Sequence, residues 1–210
     1  MIFKNFIYIG GSNLLIESGI IAILFGKISG GKFSRLAHLE FKRIWVFALA
    51  LIIQASVILL GVNENEFVLK YIREINGLSY VLMFIGIIIN AKYRTFLIML
   101  LGMLMNVFVM FSNGWRTPIS IDGLKLAGYS ELAEITLSGK LAFYIPLDEL
   151  SKYGSLSKII TIPPPYFFPQ ILSIGDMFIS LGLFLFIHSV MTNEGLDKSG
   201  MVRLKYGSKI

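Results

Sequence analysis

The sequence predicts an all-α integral membrane protein: a polytopic bundle of five transmembrane helices under a partly structured extracytoplasmic cap. Three observations lead there. The 210 residues are 55% hydrophobic and only 15% charged, against roughly 25% charged in an ordinary soluble domain. So few charges cannot cover an apolar core in water. Five apolar segments have the length of a membrane span, and Lys and Arg are unevenly shared between the connections that join them.

Crossing an apolar layer about 30 Å thick takes about 20 helical residues. The first predicted helix covers residues 6–26 and is the most interrupted, by Gly10, Gly11, Ser12, Asn13 and Glu17. The second, 44–61, is broken only by Gln54 and Ser56. The third, 72–90, needs Asn76 and Gly77 to reach full length, because its purely apolar part is 81–89. The fourth, 95–112, is nearly continuous, and the fifth, 171–191, stops at Asn193, Glu194 and Gly195. A membrane strand alternates apolar and polar residues within a closed barrel. Continuous runs such as Val46-Phe47-Ala48-Leu49-Ala50-Leu51 do not, and open strand edges are excluded from hydrocarbon.

Orientation follows from the basic residues. Lys27, Lys32, Arg35, Lys42, Arg43, Lys92, Arg94, Lys198, Arg203, Lys205 and Lys209 fall on one side, against Glu40, Glu194 and Asp197. The other side balances Lys4, Lys70, Arg73, Arg116, Lys125, Lys140, Lys152 and Lys158 with Glu64, Glu66, Glu74, Asp122, Glu131, Glu134, Asp148 and Glu149. The basic side is read as cytoplasmic, with the N-terminus outside and the C-terminus inside, in a bacterial cytoplasmic membrane. The net charge of +6 is then a topology signal, and nucleic acid is not an expected partner. The expected partners are the lipid bilayer and another membrane protein. Residues 1–26 lead into a basic segment with no small-x-small cleavage site, so a removable signal is not expected. The absence of Cys excludes disulfides, thiolate metal sites, prenylation and palmitoylation.

Residues 113–170 form the largest connection. They carry Ile119-Ser120-Ile121, Leu141-Ala142-Phe143-Tyr144-Ile145, Ile159-Ile160-Thr161-Ile162 and the run Pro163-Pro164-Pro165-Tyr166-Phe167-Phe168-Pro169. So much Ile and Phe does not suit disorder, and a partly helical cap on the outer surface is expected. No internal repeat is visible, so an inverted-repeat transporter core is not indicated.

Candidate ligand-binding residues are Glu17, Asn113, Arg116 and Asp176. A carboxylate inside an apolar stretch is costly and suggests function, and Asn13 shares the helical face of Glu17. Both also fit the start of a helix, with Asn13 as cap and Glu17 favoured by the dipole. Ser173 and Asp176 have capping-box spacing, while Ser180 extends their face as a polar stripe. Gly102, Asn106 and Asn113 form one stripe of the fourth helix, suited to close packing. Gln54 and Asn90 are lone polar groups. Asn113-Gly114 signals a turn before Pro118, which puts Arg116 at the surface as an anion site or an interface anchor. Gly30-Gly31-Lys32 lacks the spacing of a nucleotide loop and reads as a hinge. His38 and His188 are the only histidines. No metalloprotease, thiol-redox or serine-hydrolase motif is present, so neither metal nor cofactor is expected.

Four local signatures together resemble one family. They are Gly30-Gly31-Lys32-Phe33-Ser34-Arg35-Leu36, Asn113-Gly114-Trp115-Arg116-Thr117-Pro118-Ile119-Ser120, the Pro-rich stretch, and Ser173-Ile174-Gly175-Asp176. The set is similar to DUF5317, a bacterial membrane family of unknown function, over roughly residues 12–190. The resemblance implies the five-helix layout, and structural roles are expected for Gly30, Gly31, Gly102, Asn106, Gly114, Pro118, Ser173 and Gly175. It implies no activity. The leading functional reading is an accessory or structural membrane component. The alternatives are a small-solute binding or transport component with an outward polar pocket, and a membrane enzyme acting on lipid or prenyl substrates.

Overall fold

The computed structural model describes residues 12–39, 41–62, 67, 70–141 and 143–193. The first six residues expected for helix one, and the tail residues Lys198, Arg203, Lys205 and Lys209, lie outside them. The helices are α1 (Ser12–Ile28), the short α2 (Ser34–Ala37), α3 (Trp45–Val62), α4 (Ile72–Ile89) and α5 (Phe96–Ser112). Strand β1 (Thr117–Ile119), helices α6 (Ile121–Leu126) and α7 (Ser130–Leu137), and strands β2 (Tyr144–Pro146), β3 (Ile160–Ile162) and β4 (Gln170–Leu172) follow. Helix α8 (Ile174–Thr192) is the last.

The fold is therefore largely helical rather than all-α. β1 pairs with β2 in parallel and β3 with β4 in antiparallel fashion. Residues 171–172, expected to open the fifth helix, belong to β4. Helix α8 starts only after Ser173, whose extended backbone (φ −98, ψ 164) and capping box set the boundary. Among the described residues, Ile72–Ile89 and Ile174–Thr192 are long and apolar enough to cross a membrane, and Trp45–Val57 and Phe96–Ser112 are shorter apolar helices. Those two helices are consistent with association with a lipid bilayer.

Helix α8 is the central element, packed against α1 on one side and α5 on the other. α1 runs parallel to it: Ser18 Oγ donates to the Ser180 carbonyl at 2.6 Å, and Gly26 and Gly31 lie against Met191. α5 runs antiparallel, with Gly102 against Gly175 and Ile179, and Gly182 against Met99 and Thr95. Small residues let these backbones approach closely. α3 and α4 form an antiparallel pair in which Ser79 Oγ donates to the Ala50 carbonyl at 3.0 Å. Ile87, Phe96, Met103, Phe186 and Val190, with Phe47, Phe84 and Tyr93 packed beside them, join α3, α4, α5 and α8 in one core.

Helix ends are tied down by backbone geometry. After α1, the Gly31 N–H reaches back to the Gly26 carbonyl at 2.8 Å, and after α5 the Trp115 N–H reaches Met110 at 2.8 Å. Both are six-to-one closures that need a left-handed residue, supplied by Gly30 (φ 77) and Gly114 (φ 67). The expected Gly30-Gly31 hinge is thus a helix cap. Gly31 also has no room for a side chain, because the Gly26 and Met191 backbones face it.

Residues 113–170 have their own hydrophobic core, made of Ile119, Leu124, Ala127, Leu132, Ala133, Leu141 and Tyr144 together with Ile171. Lys158 bonds the backbone at and just after β1, donating to the Pro118 carbonyl at 3.1 Å and accepting from the Ser120 N–H at 3.0 Å. The next residue, Ile159, donates to Leu172 at 3.2 Å. The two strand pairs are thereby stitched together at Lys158.

The backbone contact between α5 and α8 gives the first prediction. A Cβ at Gly102 would run into the Gly175 carbonyl oxygen and the Ile179 backbone nitrogen. Gly102→Ala should therefore destabilise the protein by about 1–3 kcal/mol, seen as a lower melting midpoint by size-exclusion chromatography in detergent. An unchanged midpoint would contradict the α5–α8 packing.

Candidate functional site

Two polar groups lie where the cap meets the helices. The first centres on Asp176, in the opening turn of α8. Its Oδ2 accepts from the Ser173 N–H at 3.0 Å while the Ser173 hydroxyl accepts from the Asp176 N–H at 3.0 Å, a full capping box. Asp176 Oδ1 accepts from Asn106 Nδ2 at 2.9 Å, and Asn106 Oδ1 accepts from the Ser173 hydroxyl at 2.8 Å. The last partner is Lys158, whose Nζ donates to Oδ2 at 2.6 Å, with the two side chains 9% and 14% exposed. Both lone positions of the carboxylate are used, and Gly175 makes room for Asn106.

The electrostatics keep this pair charged. Burial pulls the Lys158 pKa down, but the Asp176 carboxylate outweighs burial and holds it above the ordinary lysine value. A raised lysine pKa adds stability that is complete below the ordinary value and is lost only as pH rises through the folded one. The lysine side of the pair thus stays intact throughout the neutral range. Burial also raises the pKa of the neighbouring Tyr144, so the phenol stays neutral beside the pair.

The second group centres on Glu17, half-buried on α1. Its Oε2 accepts from Gln170 Nε2 at 3.2 Å. Gln170 is 1% exposed and is held by β4, where it pairs with Ile162. Tyr166, from the Pro-rich run, is the other neighbour. Burial, and then the adjacent Glu17 carboxylate, raise its phenol pKa. Glu17 Oε1 and Gln170 Oε1 are buried and have no hydrogen-bond partner among the described residues.

The four residues singled out from the sequence are distributed as follows. Asp176 and Glu17 share no hydrogen bond; their partners Ser173 and Gln170 sit three residues apart on one segment. Asn113 clamps the loop that follows β2: its Nδ2 donates to the Lys152 carbonyl at 2.9 Å and its Oδ1 accepts from the Lys152 N–H at 2.9 Å. Arg116 is half-buried and makes no side-chain hydrogen bond or ion pair among the described residues. Sequence reasoning missed Lys158 and Gln170. A lone lysine just before Ile159-Ile160-Thr161-Ile162, and a lone amide between Phe168-Pro169 and Ile171-Leu172, were the available signals.

A family profile described as a family of unknown function, DUF5317, matches residues 38–188. The chain belongs to the DUF5317 family. This family is found in bacteria, and the apolar spans fit a bacterial membrane protein. The matched region holds both strand pairs, Lys158, Gln170 and Asp176, but starts after the Gly30–Leu36 signature and excludes Glu17. An uncharacterized protein from Thermotoga maritima is 24% identical over 179 residues, which cover 82% of this chain and 89% of the relative. No solved structure matches.

The Asp176 group generates a double-mutant prediction. Removing one partner of a buried pair costs about 3–5 kcal/mol, because the other charge is left uncompensated. Lys158→Met and Asp176→Asn should each lower the melting midpoint steeply, and the double variant should recover most of the loss. Additive effects in the cycle would show that the pair carries no coupling.

Proposed function

We propose that this DUF5317 protein is a five-span, non-enzymatic component of the bacterial cytoplasmic membrane, with its N-terminus outside, its C-terminus cytoplasmic and a rigid cap on the outer face. Its role in this reading is that of an accessory or structural subunit whose cap presents a fixed surface to a membrane partner. The apolar faces of all five long helices support the spanning part. Ile16, Ile20 and Leu24 on α1, Leu49 and Ile52 on α3, and Leu78, Val81 and Ile85 on α4 are exposed. So are Leu97, Leu101, Leu104 and Phe108 on α5, and Met177 and Leu181 on α8. Soluble monomers rarely carry apolar patches beyond a few hundred Å²; in lipid the same faces have no cost. Helices of 17–19 residues are about 26–29 Å long, matched to the hydrocarbon layer.

The ends support the orientation. Lys27, Lys32, Arg35, Lys42, Arg43, Lys92 and Arg94 lie on segments that meet at one end. There the Lys42 N–H donates to Asn90 Oδ1 at 2.9 Å and Arg35 Nη1 donates to the Met191 carbonyl at 2.7 Å. The cap lies at the other end. Exposed Phe33 and Trp45 at the basic end, and exposed Tyr153, Tyr166 and Phe167 at the cap end, suit two membrane interfaces.

The observation that carries the accessory reading is the Lys158–Asp176 pair. Asp176 is spent on fixing the cap to α8, so in this reading it serves rigidity rather than chemistry. The alternative of a small-solute binding component is favoured by a different observation, the two free oxygens of Glu17 and Gln170.

Two measurements test this reading. The chain has no native cysteine, so single cysteines can be placed at Ser155 in the cap and at Lys92 at the basic end. On intact cells an impermeant thiol reagent should label position 155 and spare position 92; the reverse pattern inverts the topology. An accessory subunit should also co-purify with a stoichiometric membrane partner from its native host after mild detergent extraction. Recovery of the chain alone under those conditions argues against that role.

A further inference from the structure

The two carboxylates at the cap–helix junction are finished to different degrees. Asp176 has a donor on each oxygen. Glu17 has the Gln170 amide on Oε2 at 3.2 Å and the Tyr166 phenol as a further hydrogen-bonding neighbour. Its Oε1 and the Gln170 Oε1 are both buried without a partner among the described residues. Gln170 cannot turn away cheaply, since it is 1% exposed and its backbone is held in β4. The two free oxygens belong to groups already joined by a hydrogen bond. The Tyr166 phenol stands beside Glu17 at the half-exposed edge, and exposed Ile16, Ile20 and Ile21 flank Glu17 on α1.

A carboxylate and an amide carbonyl are both acceptors, and buried acceptors call for donors. The carboxylate adds a negative charge that a cation satisfies best, through charge-assisted hydrogen bonds. Calcium would require about six to eight oxygen ligands, whereas this group offers one carboxylate, one amide and one phenol. A primary ammonium carries three N–H donors and matches three oxygen acceptors one for one. A quaternary ammonium brings the charge but leaves both free oxygens unmet.

We propose that Glu17, Gln170 and Tyr166 form a binding site for a primary ammonium group. Two sources carry this chemistry. An aminophospholipid headgroup would enter along the apolar Ile16–Ile20 face, and a free amine would enter from water past the Pro-rich segment. Only the lipid route rests on the membrane-spanning reading, and neither depends on which face is outside.

The test uses the full-length protein. In nanodiscs of phosphatidylglycerol mixed with either phosphatidylethanolamine or phosphatidylcholine, native mass spectrometry reads which headgroup is retained. In detergent, titration calorimetry compares ethanolamine with choline. The primary amine should be preferred by about tenfold or more in at least one arm, the magnitude of a charge-assisted hydrogen bond lost on methylation. Preference in the lipid arm alone assigns a headgroup site, and preference in the soluble arm alone assigns a solute site. Glu17→Gln should erase the preference and leave the melting midpoint within a few degrees of wild type. Equal binding of primary and quaternary amines in both arms overturns the proposal, as does a preference that survives Glu17→Gln. Should that variant fail to fold, Tyr166→Phe, at a half-exposed position, should weaken primary-amine binding and leave the quaternary analogue unchanged; equal effects on both overturn it. Nanodiscs expose both faces, so an inverted topology in the labelling experiment leaves this result readable.

Discussion

A charge removed from water needs a partner, and the arrangement around Asp176 follows from that requirement. The carboxylate opens α8 as part of a capping box, which fixes the first turn of the helix. It then recruits Asn106 from α5 and Lys158 from the cap, so three separate parts of the chain converge on one side chain. The lysine is not free to wander, because its own N–H and carbonyl are bound to Pro118 in β1 and to Ser120 just after it. Cap orientation, helix start and α5–α8 approach are thus coupled through a single ion pair. Such a pair contributes more through the cost of breaking it than through net stability, which makes it a device for rigidity and register.

The opposite end solves the complementary problem with donors. The last carbonyls of a helix lack intrahelical partners. At the end of α8 the Met191 carbonyl accepts from the Arg35 guanidinium at 2.7 Å and from the Lys32 N–H at 2.9 Å. A cation there is also favoured by the helix dipole. Because Lys32 and Arg35 follow α1, these bonds tie α1 to α8 in parallel, and the small residues Gly26 and Gly31 give Met191 the space it occupies. Aromatic rings close the same end: Phe41, Tyr93, Phe96 and Phe186 lie within 4.9–6.2 Å of one another by ring centroid.

The cap serves two neighbouring groups from one short segment. Gln170 faces Glu17 while Ser173 faces Asp176. The difference between them is one of completion. The Asp176 group balances charge and donors internally, while the Glu17 group keeps two acceptors without a donor among the described residues. A fully satisfied network rigidifies a structure, and a buried acceptor left without a donor calls for a separate explanation. On the binding site proposed above, structural and recognition roles sit within a few residues of chain.

The sequence by itself determined the apolar helices, their approximate limits and the capping box, because each is written in local composition and spacing. Expected limits of 44–61, 72–90 and 95–112 compare with Trp45–Val62, Ile72–Ile89 and Phe96–Ser112. The family was legible too, through Asn113-Gly114, Pro118 and the Ser173–Asp176 turn. The strands were not, since three-residue strands have no periodicity to read and depend wholly on pairing partners. Residues 171–172 looked helical because their apolar character was continuous with α8. Only tertiary structure decided which polar residues meet. Lys158 reads from the sequence as one of eight balancing basic charges, and Gln170 only as the end of the 113–170 connection. Their partners lie 18 and 153 residues away, and a contact across such distances is set by how the elements pack, which no local pattern encodes.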